Sequence, residues 1–558
     1  MSRPSQAEAD CSRREFGWVV AIGAVVGLFC FGFYFWNDLT TAHYDAKAHL
    51  VVARRILDSR APGYAQLGPQ WLPLIHLLYL PFVMIESQYR SGLLPSLISV
   101  GAFAVSVGMI FRIVCRAARS RPAAAFAAVL LAANPNLQFF QSSPLTEPLF
   151  IMLNLLSLDA LLLWRQERMN ALPWCAAAWA ALAALCRYEG WLFLGGVVLL
   201  LAYDAAARRI SPRHAARAGL LFMTAGGLPL LLHFGYVYAR LGDSFFHYLA
   251  RGYPAPYETL RRPILSAFYH CGELGQAATL VPLLIGLTGT IYGVFRWPRF
   301  QRLAPLLLLW LPSFINTAAL YWGLIYRVRY SVLLLPAIAV FGSLWLTRAE
   351  AARRVLIGAC LLAMALPWLS WAFPREWQYH FLNPGPGILL IPAVALTLLL
   401  AGLARERYIL SLALLCSFGM QAPLLEGETR AALQEAREHD YLEQERHAVI
   451  AHLRENYDGS GILIDMGRQA PLIYDSRLPV REFLYAEGNQ AAWLGAMQAP
   501  HQFAGWICGE EGDELGNRLR IDPHWAERYS VAVRTRNFML VRLLPEYRGA
   551  PRPIRQPE

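Results

Sequence analysis

Hydrophobic residues in this chain come in long unbroken runs rather than at the three-and-four spacing of a soluble helix. Stretches close to the roughly 20 residues that span a bilayer recur from residue 16 to about residue 423, about thirteen in all, several of them short or broken by proline. That pattern predicts a polytopic α-helical membrane protein. The first run, 16–36, is longer than a signal-peptide core and has no small-residue cleavage site before Asn37, so it is expected to remain as the first transmembrane helix. Beyond residue 423 the pattern changes sharply. Residues 429–456 are charged and helix-forming, while 461–466, 503–508 and 529–544 read as short strands, the last a pair joined at Arg536 and Asn537. A small extracytoplasmic C-terminal α/β domain is expected there. The predicted organisation is a cytoplasmic tail over 1–15, a transmembrane domain over 16–423, the α/β domain over 424–548 and a disordered proline-rich tail over 549–558.

Composition agrees with the bilayer reading. Of 558 residues, 56% are hydrophobic and 16% charged, an apolar excess and a charge deficit relative to a soluble domain. The net charge of +11 does not point to nucleic acid, because the arginines punctuate apolar runs instead of forming a stripe on a soluble fold. They cluster at 13–14, 112–121, 165–168, 208–217, 296–302, 348–354 and 405–407, which are alternate connections, and positive loops stay in the cytoplasm. The chain is therefore expected in the inner (plasma) membrane, with the remaining connections and the C-terminal domain outside. Lys47 is the sole lysine among the 50 basic residues. The nine cysteines show no paired metal or redox spacing; most lie in apolar runs, and only Cys271 and Cys508 fall in segments where a disulfide is chemically allowed.

Candidate chemistry begins directly after the first span. In His43-Tyr44-Asp45-Ala46-Lys47-Ala48-His49, Asp45 and His49 stand one helical turn apart and can share one face. Asp45 suits a general base for a hydroxyl proton; it equally suits the cap of a helix beginning at Ala46. His43, His49 and His76 allow a divalent cation, without diagnostic spacing. Lys47 falls on another part of the helix and is a candidate pocket residue. Glu147 in SPLTEPLF stands where a helix N-terminus or a site acid would serve, and Arg187 with Glu189 interrupts two apolar stretches, where ionisable groups are costly enough to suggest function. Arg327, Arg329 and Tyr330 form a basic and aromatic cluster at the end of a span, and His247 and Arg251 lie in an amphipathic outer segment.

Taken in order, HYDAKAH, WLPLIHLLYLP, SPLTEPLF, RYEGW and YRVRY make residues 16–423 resemble the GT-C membrane glycosyltransferases, namely the bacterial family related to protein O-mannosyltransferases and the lipid A aminoarabinose transferase. The span number followed by an outer domain resembles the aminoarabinose transferase layout more closely. The resemblance implies a sugar donor carried on polyprenyl phosphate, taken from the lipid bilayer, and an inverting displacement. Asp45 would be the base assisted by Glu147 and His49; Arg187, Arg327, Arg329 and Tyr330 would bind the donor phosphate; Lys47, His76, Glu189, His247 and Arg251 would line a donor or acceptor pocket. One departure stands out: the mannosyltransferases usually carry an Asp-Glu pair where this chain has Asp45-Ala46. The acceptor stays open among protein, lipid and glycan. A flippase or transporter of a lipid-linked sugar is the alternative, against which the chain shows no repeated halves.

Overall fold

The first helix, Arg13–Trp36, opens on a reciprocal cap: Ser12 Oγ accepts from the Glu15 amide at 3.1 Å, and the Glu15 carboxylate accepts from the Ser12 amide at 2.9 Å. Its buried side is a stripe of Gly23, Gly27, Phe31 and Tyr34, while Trp18, Val25, Phe29 and Trp36 are exposed. An apolar surface of that kind is what a helix presents to lipid. The computed structural model describes residues 12–167, 169–242, 261–278, 280–296, 304–323, 327–346, 432–433, 436, 443–487 and 490–547. Among these, seven helices are long and apolar enough to cross a membrane, or eight if the bent pair Arg121–Ala132 and Pro135–Gln141 counts as one span. The spans expected within 347–423, together with His247 and Arg251, lie outside the described residues.

The chain divides into two compact units, residues 1–37, 96–229 and 252–435 in the first, and 38–95, 230–251 and 436–558 in the second. The first unit is helical. Its helices approach closely where glycine permits: a Cβ on Gly289 would stand 2.2 Å from the Phe341 carbonyl oxygen, and one on Gly286 2.8 Å from the Ile338 Cα. Helix Leu280–Arg296 therefore packs backbone to backbone on Leu335–Leu346, as small residues allow in membranes.

The second unit holds a five-stranded mixed sheet in the order β2-β1-β3-β5-β4. The strands are β1 (Ile462–Ile464), β2 (Phe483–Leu484), β3 (Trp506–Glu510), β4 (Tyr529–Arg534) and β5 (Phe538–Leu543). β1 pairs in parallel with β2 (Ile462 opposite Phe483) and β3 (Ile464 opposite Cys508); β5 is antiparallel to β3 and β4. The strands expected at 461–466, 503–508 and 529–544 are present, and the last two do turn at 535–537. β2 escaped the sequence because two residues carry no alternation. Leu463, Ile507, Val541 and Leu543 meet Trp493, Leu515 and Trp525 in one core. Cys271 and Cys508 are free thiols, Cys271 exposed and Cys508 inside β3, so the disulfide that chemistry allowed is not formed.

The same unit contains the segment that follows the first span. Helix Tyr44–Arg55 packs on helix Met466–Ser476. Tyr44 Oη donates to the Gly467 carbonyl at 2.8 Å, Lys47 Nζ pairs with Asp475 at 2.7 Å, and Arg55 Nη1 meets Met466 Sδ at 2.6 Å.

Candidate functional site

Asp45 is the second residue of helix Tyr44–Arg55, and the helix is capped by another side chain. His43 Nδ1 accepts the Asp45 amide at 3.1 Å, with the Asp45 carboxylate 3.8 Å from the same nitrogen. The alternative reading, in which Asp45 caps a helix starting at Ala46, does not hold: the helix begins two residues earlier, and the imidazole takes the capping role. The carboxylate of Asp45 is left one-fifth exposed.

His49 is buried one turn on. Its Nδ1 lies 3.0 Å from His76 Nε2, and His76 Nδ1 lies 2.8 Å from the Leu72 carbonyl. A carbonyl only accepts, so His76 carries its proton on Nδ1, its Nε2 accepts, and His49 Nδ1 donates. Trp71 packs edge-on against both rings. Tyr64 and His233 extend this polar chain, Tyr64 Oη to His233 Nδ1 at 2.8 Å and His233 Nε2 to the Trp71 carbonyl at 3.2 Å. Neither residue was marked by the sequence, since a tyrosine and a histidine 169 positions apart carry no joint signal. Among the described residues no group of three or more His, Cys, Asp or Glu side chains is arranged to hold a metal. Lys47, expected as a pocket residue, is engaged with Asp475.

A second cluster belongs to the first unit. Glu147 begins helix Glu147–Glu167 and is fully buried; Glu189 begins helix Glu189–Ala206 and is 4% exposed. Arg187 lies between them, donating from Nη1 to Thr146 Oγ1 (2.7 Å) and Glu147 Oε1 (2.6 Å), and from Nε and Nη2 to the two Glu189 oxygens (3.1 and 2.9 Å). Four of its five N–H groups are thereby used. Arg329 Nε stands 3.6 Å from Glu147, and both guanidiniums lie over the Tyr330 ring, at 5.9 Å for Arg187 and 5.3 Å for Arg329. Arg327 precedes helix Val328–Val332 as its cap residue and is half-buried. Glu147, Arg187, Glu189, Arg329 and Tyr330, far apart in sequence, are thus brought together.

No family model matches the chain, and no curated protein matches it. Solved structures do. Crystal structures of ArnT from Cupriavidus metallidurans, one bound to undecaprenyl phosphate and one in the apo state, each superpose with a TM-score of 0.57 at 15% identity, covering 96% of this chain and 99% of that one. The chain has the ArnT fold. The GT-C-like architecture that the ordered motifs resemble, a polytopic helical protein carrying an α/β C-terminal domain, is accordingly present.

Proposed function

We propose that the chain is a membrane glycosyltransferase that takes a sugar from a polyprenyl-phosphate carrier and transfers it on the extracytoplasmic side of the inner membrane. The observation that carries this reading is the fold shared end to end with a protein solved in complex with undecaprenyl phosphate. The alternation of arginine-rich connections supports the sidedness.

The proposed reaction is a single displacement. The acceptor hydroxyl gives its proton to the Asp45 carboxylate as its oxygen forms a bond to the anomeric carbon; the bond from that carbon to the phosphate oxygen breaks, and the phosphate departs with the electron pair, inverting the centre. A phosphate leaving group calls for cations more than for an acid. The contacts to phosphate are assigned to Arg187, Arg327, Arg329 and Tyr330, with Glu147 and Glu189 holding the Arg187 guanidinium in place. His49 and His76 support the Asp45 helix from its buried side.

Transfer of label from a panel of polyprenyl-phosphate sugars, by purified protein in lipid, tests this with wild type and Asp45→Asn, each with and without chelator. Transfer by wild type and its loss in the variant is the expected result. Full transfer by Asp45→Asn sinks the base assignment, and no transfer from any donor sinks the enzyme reading in favour of lipid-linked sugar transport.

A further inference from the structure

A different cationic feature lies wholly within the second unit. A cavity of about 140 Å³ is lined by Arg54, Arg90, Arg477 and Arg481 against only two carboxylates, Asp58 and Glu86. Four guanidiniums and two carboxylates leave a surplus of two positive charges. The inner pair is anchored: Arg54 bonds Asp58 at 3.3 Å, Glu86 at 3.2 Å and the Val83 carbonyl at 2.5 Å, and Arg90 bonds Glu86 at 2.7 Å and the Tyr474 carbonyl at 2.5 Å. The outer pair is held by a single contact. Arg481 is 62% exposed and touches Asp58 through Nη1 alone, and Arg477 makes no hydrogen bond or ion pair among the described residues.

Arg477 is also held in an unusual backbone state. It ends helix Met466–Ser476 in the left-handed region at φ 61°, where glycine or asparagine is the ordinary choice. The helix does not need its side chain, because Arg454 already donates to the carbonyls of Asp475 and Ser476. Arginine at this position thus gains nothing for the helix and delivers a charge to the cavity mouth.

Exposed apolar residues stand next in the chain to the lining. Leu57 adjoins Asp58 and is 40% exposed; Met84 and Ile85 adjoin Glu86 and are 65% and 52% exposed. Exposed apolar side chains next to a surplus of arginine charge are the arrangement of a protein surface resting on lipid headgroups. We propose that this cavity binds the phosphomonoester headgroup of a membrane lipid, whose charge of about −1.5 to −2 matches the surplus, and so fastens the second unit to the bilayer surface.

Native mass spectrometry of the full chain in detergent, titrated with dioctanoyl phosphatidic acid, dioctanoyl phosphatidylcholine or inorganic phosphate, tests the proposal. Wild type should bind phosphatidic acid at least tenfold more tightly than phosphatidylcholine. The double variant Arg477→Ala/Arg481→Ala should lose at least tenfold in affinity for phosphatidic acid alone, and Arg477→Lys/Arg481→Lys should keep most of it. Both variants alter exposed side chains, so an unchanged unfolding midpoint separates lost binding from lost folding. Equal affinity of wild type and the alanine variant for phosphatidic acid overturns the site. Displacement of that lipid by an equal concentration of inorganic phosphate overturns the lipid assignment in favour of a free-anion site. Neither outcome depends on sugar transfer, so this inference and the transferase reading fail separately.

Discussion

Replacing Asp465 with asparagine should stabilise the second unit above neutral pH and leave it almost unchanged in acid. Asp465 follows β1 at the carboxyl edge of the parallel strands. A Cβ built on Gly467 would stand 3.2 Å from Asp465 Oδ1 and 3.5 Å from Glu487 Oε1, so the two carboxyls flank one small residue. Burial first, then the charges of Glu487 and Asp513, push the Asp465 carboxyl from 3.8 up to about 7, against the smaller pulls of Arg468 and the Gly467 amide. Burial likewise raises the carboxyls of Glu510, at the end of β3, and of Asp513.

A raised acid binds a proton that the unfolded chain has already released, so stability declines as pH climbs from 3.8 to about 7 and then levels off. At about 1.4 kcal/mol per pH unit, the full penalty at pH 8 is about 4 kcal/mol. Asparagine keeps the shape and can still accept from the Gly467 amide, but carries no charge. Hydrogen exchange of the Leu463, Ile464 and Ile507 amides reads the effect, once the intrinsic tenfold change per pH unit is divided out. The ratio of protection in Asp465→Asn to wild type should be near one at pH 4, rise through pH 5 and 6, and reach as much as about a thousandfold at pH 8. A ratio independent of pH would refute the reasoning, because it would mean that Asp465 is ionised alike in folded and unfolded chains.

Asp45→Asn should lower kcat by about 10²–10⁴-fold with folding retained, since His43 and not Asp45 caps the helix; a melting curve run beside the label-transfer assay separates the two effects. Arg187→Ala leaves Glu147 and Glu189 buried without their cation and should destabilise the first unit by about 3–5 kcal/mol, whereas Arg187→Ala with Glu147→Gln and Glu189→Gln should recover much of that in a thermal shift assay. Gly289→Val drives a side chain into the Phe341 carbonyl and should lose folded protein on size-exclusion chromatography, with Gly227→Val, which meets nothing within 4 Å, as the tolerated control. Breaking the half-buried Lys47–Asp475 pair should show a coupling of no more than about 1 kcal/mol in a double-mutant cycle of thermal stability.

The membrane class and the C-terminal α/β domain were legible because both rest on local pattern: unbroken apolar runs set spans, and alternation with turn residues set β3, β4 and β5. Arg187 was marked for a related reason, as a charge among apolar residues stands out against its background. What the sequence could not carry was partnership. Nothing in RYEGW says that Arg187 meets Glu147, 40 residues earlier, as well as its neighbour Glu189. Nothing in HYDAKAH says that Lys47 and Tyr44 are held by a helix more than 420 residues away. The alternative role of Asp45 as a cap fell for the opposite reason: propensity favours aspartate at that position, and the local geometry gave the work to His43.

Partnership also decides which arginines are open to a ligand. Composition treats them alike, yet Arg187 has four donors engaged by three protein groups, Arg55 is 1% exposed and bonded to the Gln66 and Leu67 carbonyls, and Arg477 has no hydrogen bond or ion pair among the described residues. Burial and neutralisation run together, because a guanidinium removed from water must find acceptors or be lost to instability. The most deeply buried arginines, which look most functional in a sequence, are therefore the ones whose charge is already answered by protein. An anionic lipid is better met by those at the margin of the second unit, Arg477 and Arg481.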